Sequence, residues 1–158
     1  MRARVALFAL LGALCFAGAS TIHALTFAGV SGPAIFFVAL GARIAWGAMV
    51  GELRAREEPR DVRSLLARLP GAYRALAYAV LAYFALSLAA FFATHEGSPQ
   101  RAPDGSYVLK SRQRVIRALS EPEYRRACAA EERPLSAGVM FFALVPALYF
   151  AVVRRDAR

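Results

Sequence analysis

Site chemistry needs side chains able to hold a metal, a proton or an anion, and this chain has few of them. His23 and His95 are its two imidazoles. Two imidazoles fall short of a tetrahedral zinc site, and no acid or cysteine stands at ligand spacing from either. A haem held between helices would want histidines deeper in a bundle, so a metal or haem at His23 and His95 is the second functional expectation rather than the first. Cys15 lies in an apolar run and Cys128 in a polar one, too far apart along a spanning helix for a disulfide, and no Cys-x-x-Cys spacing occurs. The acids Glu121, Glu123, Glu131 and Glu132 have the distribution of a solvated helix. No Gly-rich phosphate loop or nucleophile elbow is present.

Arg43 is the sharper anomaly, a cation near the middle of an apolar stretch, where an unpaired charge costs at least about 2.5 kcal/mol. The apolar runs contain no Asp or Glu. An inward-facing guanidinium would therefore meet hydroxyls, and Arg43 with Tyr83, Ser87 and Tyr149 forms a candidate buried polar site able to hold an anionic head group or a quinone-like carbonyl.

The elements that must position these residues follow from hydropathy. Of 158 residues, 58% are hydrophobic, above the roughly 45–50% of soluble domains, and the excess is gathered in blocks with charges between them. The 38 positions from Val5 to Ala42 carry no formal charge, about twice one bilayer crossing. A turn at Phe27-Ala28-Gly29-Val30-Ser31-Gly32-Pro33 folds them back. Four spans result, at about 5–26, 33–51, 73–93 and 136–153, in an all-α membrane domain covering 1–158. Residues 1–19 also fit a secretory signal, with Ala17-Gly18-Ala19 as cleavage site, although the apolar pattern continues through Ile22, Leu25 and Phe27. Gly47 and Gly51 have G-x-x-x-G spacing, expected to serve helix packing.

Between the spans lie a charged connection, 52–72, and a polar insert, 94–135. Val62, Leu65, Leu66 and Leu69 have helical spacing with arginines on other faces, which predicts a short helix over 60–69 lying on the membrane with anionic lipid as partner. The insert predicts a small hairpin, Ser106-Tyr107-Val108-Leu109 against Arg114-Val115-Ile116. A helix follows, opened by a capping box at Ser120-x-x-Glu123 and ended at Pro134 before the last span. Eleven Lys and Arg residues flank one side of the spans and eight, diluted by six acids, the other. That asymmetry predicts cytoplasmic termini and a periplasmic insert. The net charge of +9 is explained by this anchoring and not by a nucleic-acid stripe.

His23, Trp46, the Tyr107-Val108-Leu109 and Val115-Ile116 pair, Ser120-x-x-Glu123-Tyr124, and Glu132-Arg133-x-x-Ser136 leading into Met140-Phe141-Phe142 resemble small four-span bacterial membrane proteins with no assigned function. The resemblance implies an inner-membrane four-helix bundle. The chain departs from that pattern at Arg112-Gln113 and Ala137-Gly138-Val139, where such proteins tend to carry Gly and His, which puts in doubt a metal role resting on those histidines. The leading expectation is a non-enzymatic accessory protein that docks an envelope or membrane partner through its insert, with a membrane-protein partner or a homo-oligomer as the assembly expected. Tyr107, Leu109, Ile116, Tyr124 and Arg133 are the candidate contact residues.

Overall fold

A computed structural model describes residues 2–58, 61–112 and 114–156. The chain is mostly helical. Helix α1 covers Arg2–Phe27, α2 Ala34–Ala55, α3 Val62–Ala67, α4 Gly71–Thr94 and α5 Glu121–Asp156, with strands β1 at Ser98–Arg101, β2 at Tyr107–Ser111 and β3 at Arg114–Leu119. Four helices are long and apolar enough to cross a membrane: Ala3–Phe27, Ala34–Ala55, Gly71–Thr94 and Glu121–Val152.

Helix α1 ends where expected, by a mechanism the residues make plain. The Gly29 amide bonds to the Thr26 carbonyl and the Val30 amide to the Leu25 carbonyl, with Gly29 at φ +76. That left-handed stop satisfies two terminal carbonyls and suits a residue without Cβ. Helix α2 closes the same way, through Glu57 amide to Arg54 and Glu58 amide to Leu53. Here a non-glycine residue, Glu57 at φ 56, takes the left-handed position.

Helices α1 and α5 pack most extensively against each other and run antiparallel. Phe8 stacks on Phe150 at one end, and His23 meets Ser136 at the other. Gly12 lets the two backbones close, since a Cβ there would lie 3.0 Å from the Ala143 carbonyl and the Ala147 side chain. One core cluster joins Val5, Met49, Leu53, Phe141, Val145 and Phe150, and a second joins Cys15, Ala19, Ile35, Ala42, Val139 and Ala143. Helix α4 buries only Ala77 and Val80 fully, so most of its apolar surface faces outwards. Cys15 and Cys128 are both free thiols.

Five expectations are corrected. Pro134 does not end a helix: the insert helix and the last span are one 36-residue helix, α5, through both Pro134 and Pro146. Pro134 removes one donor, the one that would reach the Ala130 carbonyl, and packing of the following turns against α1 holds the helix together. At about 1.5 Å per residue α5 is roughly 54 Å long against a hydrocarbon core of about 30 Å, so it extends well beyond one crossing. The expected hairpin gains a third strand, giving the antiparallel order β1-β2-β3, so the chain is not purely α. Pro99 pairs with Leu109 in β1 and is tolerated because β1 is an edge strand.

Third, the short helix α3 turns its leucines inwards. Leu65, Leu66 and Leu69 are buried in the cluster with Met49, Leu53 and Phe150; they close one end of the bundle and are not free to enter lipid. Asp61 caps α3 by accepting the Ser64 amide at 2.8 Å, and that bond holds its carboxyl below the usual carboxylate range. Fourth, Gly47 and Gly51 pack against no other helix of this chain, because a Cβ on either would meet nothing within 4 Å. Fifth, the capping box at α5 is half formed. Glu123 accepts the Ser120 amide at 2.8 Å, but the Ser120 hydroxyl donates to the same carboxylate in place of capping helix amides.

These two kinds of glycine separate experimentally. Gly12→Ala has to push two backbones apart and is expected to cost about 1–3 kcal/mol. Gly47→Ala meets open space and is expected to be neutral or to stabilise by up to about 1 kcal/mol through helix propensity. Unfolding of both variants in mixed detergent micelles measures the difference, and equal behaviour would contradict the packing described.

Candidate functional site

The polar groups gather at the end of the bundle where α1 closes. His23 is buried, four residues before the end of α1. Its Nδ1 lies 2.9 Å from the Ser136 hydroxyl on α5 and its Nε2 lies 2.6 Å from the Tyr83 hydroxyl on α4. The Ser136 proton is directed at the α5 carbonyls of Glu132 and Arg133. Ser136 therefore accepts from Nδ1–H, and in the neutral ring Nε2 then accepts from the Tyr83 hydroxyl, the Nδ1–H tautomer. The ring of Tyr83 also meets the imidazole edge to face at 5.3 Å.

One turn further along α1 the same logic recurs. The Thr26 hydroxyl donates to the His23 carbonyl at 2.7 Å and accepts from Arg133 Nε at 3.3 Å, while another guanidinium nitrogen of Arg133 donates to the Thr26 carbonyl at 2.9 Å. That carbonyl belongs to the last turn of α1 and already accepts the Gly29 amide; the guanidinium adds a second donor and faces the negative end of the helix dipole. Arg133 also lies over the Phe27 ring, 4.5 Å from its centroid. Its neighbour Glu132 accepts the Gly32 amide at 3.0 Å, which ties the α1–α2 turn to α5.

Beside this network opens a cleft of about 240 Å³, lined by His23, Phe27, Tyr83, Ser87, Ala90, Phe91, Thr94, Ala130, Arg133 and Pro134. Helix α4 contributes Tyr83, Ser87, Ala90, Phe91 and Thr94, successive turns of one stripe. Ala130 and Pro134 stand one turn apart on α5. Because proline has no N–H, the Ala130 carbonyl lacks its usual helical donor there.

The expected site residues separate in space. Arg43 does not face the bundle interior; it is exposed on α2, between the inward-facing Ala42 and Ala45. Tyr149 is buried in the other cluster, against Phe150, about 20 Å along α5 from Ser136. Tyr83 and Ser87 do come together, around His23 and not around Arg43. His95 is exposed and rests on the Phe91 ring at 4.5 Å, whereas both nitrogens of His23 are occupied by hydroxyls. Among the described residues no group of three His, Cys, Asp or Glu side chains converges. In the insert, Tyr107 stacks on Tyr124 at 4.5 Å, Leu109 is buried beneath the sheet and Ile116 is partly exposed. Arg133 turns into the bundle and is not an outward contact.

Ser136 and Thr26 are the site residues that sequence reasoning missed. The signal was present in helical spacing: Thr26 follows His23 by three positions and Ser136 follows Arg133 by three, so each pair shares a face. With the geometry in place, the fold defines a class, a mostly helical protein with four helices long and apolar enough to cross a membrane. No family model, no curated protein and no solved structure matches the chain. The resemblance drawn above rests on its own residues, several of which, His23, Glu132, Arg133 and Ser136, lie in this network.

Tyr83→Phe leaves an imidazole nitrogen without its donor, and Ser136→Ala leaves Nδ1–H without its acceptor. Each is expected to destabilise by about 1–3 kcal/mol. A double-mutant cycle of His23→Ala with Tyr83→Phe is expected to show coupling of at least about 0.5 kcal/mol, as for residues in one hydrogen-bond network. Additive losses would show that the two side chains do not act together.

Proposed function

We propose that the chain is a multi-pass protein of the bacterial inner membrane that works without catalysis, docking a membrane or envelope partner through its three-stranded sheet. The observation that carries this reading is strand β3. It forms an edge of the sheet, and all of its described side chains except Leu119 are exposed, with Val115 57% and Ile116 46% accessible. A bulge between Leu109 and Lys110 shifts the pairing register from Arg117 to Val115, leaving Ile116 as the extra residue. An open edge carrying apolar side chains between Arg114 and Arg117 suits an extended segment added as a fourth strand.

The sheet is held rigidly enough to present that edge. Tyr107 of β2 stacks on Tyr124 of α5, Arg117 of β3 pairs with Glu123 at 2.9 Å, and Asp104 fixes the β1–β2 turn by accepting the Ser106 amide and hydroxyl. The Lys and Arg asymmetry of the connections supports cytoplasmic termini and a sheet on the outer side.

Reporter fusions after Arg63 and after Ser111 are expected to report opposite compartments, cytoplasmic for the first; a shared compartment refutes the four-span arrangement. Crosslinking pull-down with the full chain tests the docking reading. Val115→Asp, which places a charge on the exposed edge without touching the bundle, is expected to lose at least about 1 kcal/mol of partner affinity, roughly a fivefold fall in recovery. A partner set unchanged by Val115→Asp, and by replacement of residues 97–119 with a flexible linker, removes the proposal.

A further inference from the structure

We propose that the cleft between α1, α4 and α5 is a binding site for the phosphate head group of an anionic phospholipid, with Arg133 as its anion-holding residue. This site is separate from the strand edge and would exist whether or not a protein docks there.

Charge comes first. Arg133 is the one formally charged residue lining the cleft, no carboxylate lines it, and among the described residues no acid pairs with its guanidinium. Two of its N–H groups are committed to Thr26. A guanidinium has five such donors, so the others remain to grip an oxyanion, the geometry that makes arginine suited to phosphate. A half-buried cation without a counter-charge is costly in a membrane protein. A neutral carbonyl ligand would give it hydrogen bonds but would leave the charge uncompensated; a phosphate monoanion gives both.

Position and shape agree. The cleft lies at the bundle end, beside the last turn of α1 and beside Thr94, the last residue of α4, where a spanning helix meets head groups. Its volume of about 240 Å³ is below the roughly 300–1,000 Å³ of pockets that enclose a drug-sized molecule. It accommodates a head and leaves a tail outside. Ser87 adds a hydroxyl with no hydrogen bond to another described residue, while Phe27, Phe91, Ala90 and Pro134 form apolar walls. Next to the stripe, Leu86 and Phe92 are 69% and 70% exposed, an apolar surface along which acyl chains would lie.

The test is native mass spectrometry of the full chain released from micelles holding equal amounts of phosphatidylglycerol and phosphatidylcholine. The wild type is expected to retain phosphatidylglycerol selectively. Arg133→Gln is expected to lower that retention roughly tenfold or more, and Arg133→Lys to lower it less. Because Arg133 also braces Thr26, a second variant leaves it untouched: Ala90→Trp fills the cleft from the lipid-facing helix and is expected to abolish retention while thermal unfolding in lipid-free detergent micelles stays unchanged. Equal retention of both lipids by the wild type, or full retention in folded Ala90→Trp, overturns the proposal. Inorganic phosphate at millimolar concentration is expected not to displace the lipid; complete displacement would mean a site for free phosphate and would overturn the lipid assignment.

Discussion

A buried imidazole has to find a hydrogen-bond partner for each ring nitrogen, because an unmade bond costs about 1–3 kcal/mol. His23 finds one on α4 and one on α5. That requirement sets the rotation of three helices at once. Tyr83 must face α1, Ser136 must face α1, and the turn of α5 before Ser136 then presents Arg133 to the end of α1. The cleft beside them follows from this arrangement, since an arginine drawn inwards to Thr26 leaves part of its fork uncommitted between walls of Phe27 and Phe91.

Helix α5 carries the second constraint. Its packing on α1 demands a close backbone approach at Gly12, and its N-terminal half supports the sheet through Tyr124 and Glu123. Besides the short 95–97 connection from α4 to β1, bundle and sheet are therefore joined by one continuous helix. A helix that continues through Pro134 transmits position in a way that two helices with a hinge would not. The tie from Glu132 to the Gly32 amide links the same helix to the α1–α2 turn. Polar contacts between elements thus concentrate at one end of the molecule, whereas the other end is closed by leucines of α3 against Met49, Leu53 and Phe150.

Arg43 and Arg133 illustrate how a local argument can select the wrong residue. Arg43 stands among apolar neighbours at mid-span, which gave it the stronger energetic case for buried partners. Its neighbours Ala42 and Ala45 take the inward positions of α2, so the longer side chain faces out, where a flexible stem can carry its charge towards the interface. Arg133, by contrast, is adjacent to a proline in a polar stretch and reads as solvated, yet helical phase turns it onto α1.

The sequence by itself determined the number of apolar helices, the approximate ends of α1, α2 and α4, the turn at Gly29, the β2–β3 pairing and the dominance of the connections by arginine. Those are consequences of length, hydropathy and turn chemistry, which act over a few residues at a time. Tertiary structure alone decided that α5 is continuous, that β1 joins the sheet, that the leucines of α3 face protein, that the glycine pair of α2 meets no other helix of the chain, and that His23, Tyr83, Thr26, Arg133 and Ser136 share one site. Each of these depends on contacts between residues far apart in the chain, His23 and Ser136 being separated by 113 positions. Helical periodicity states which residues share a face, but only packing against another helix determines which face is turned inwards.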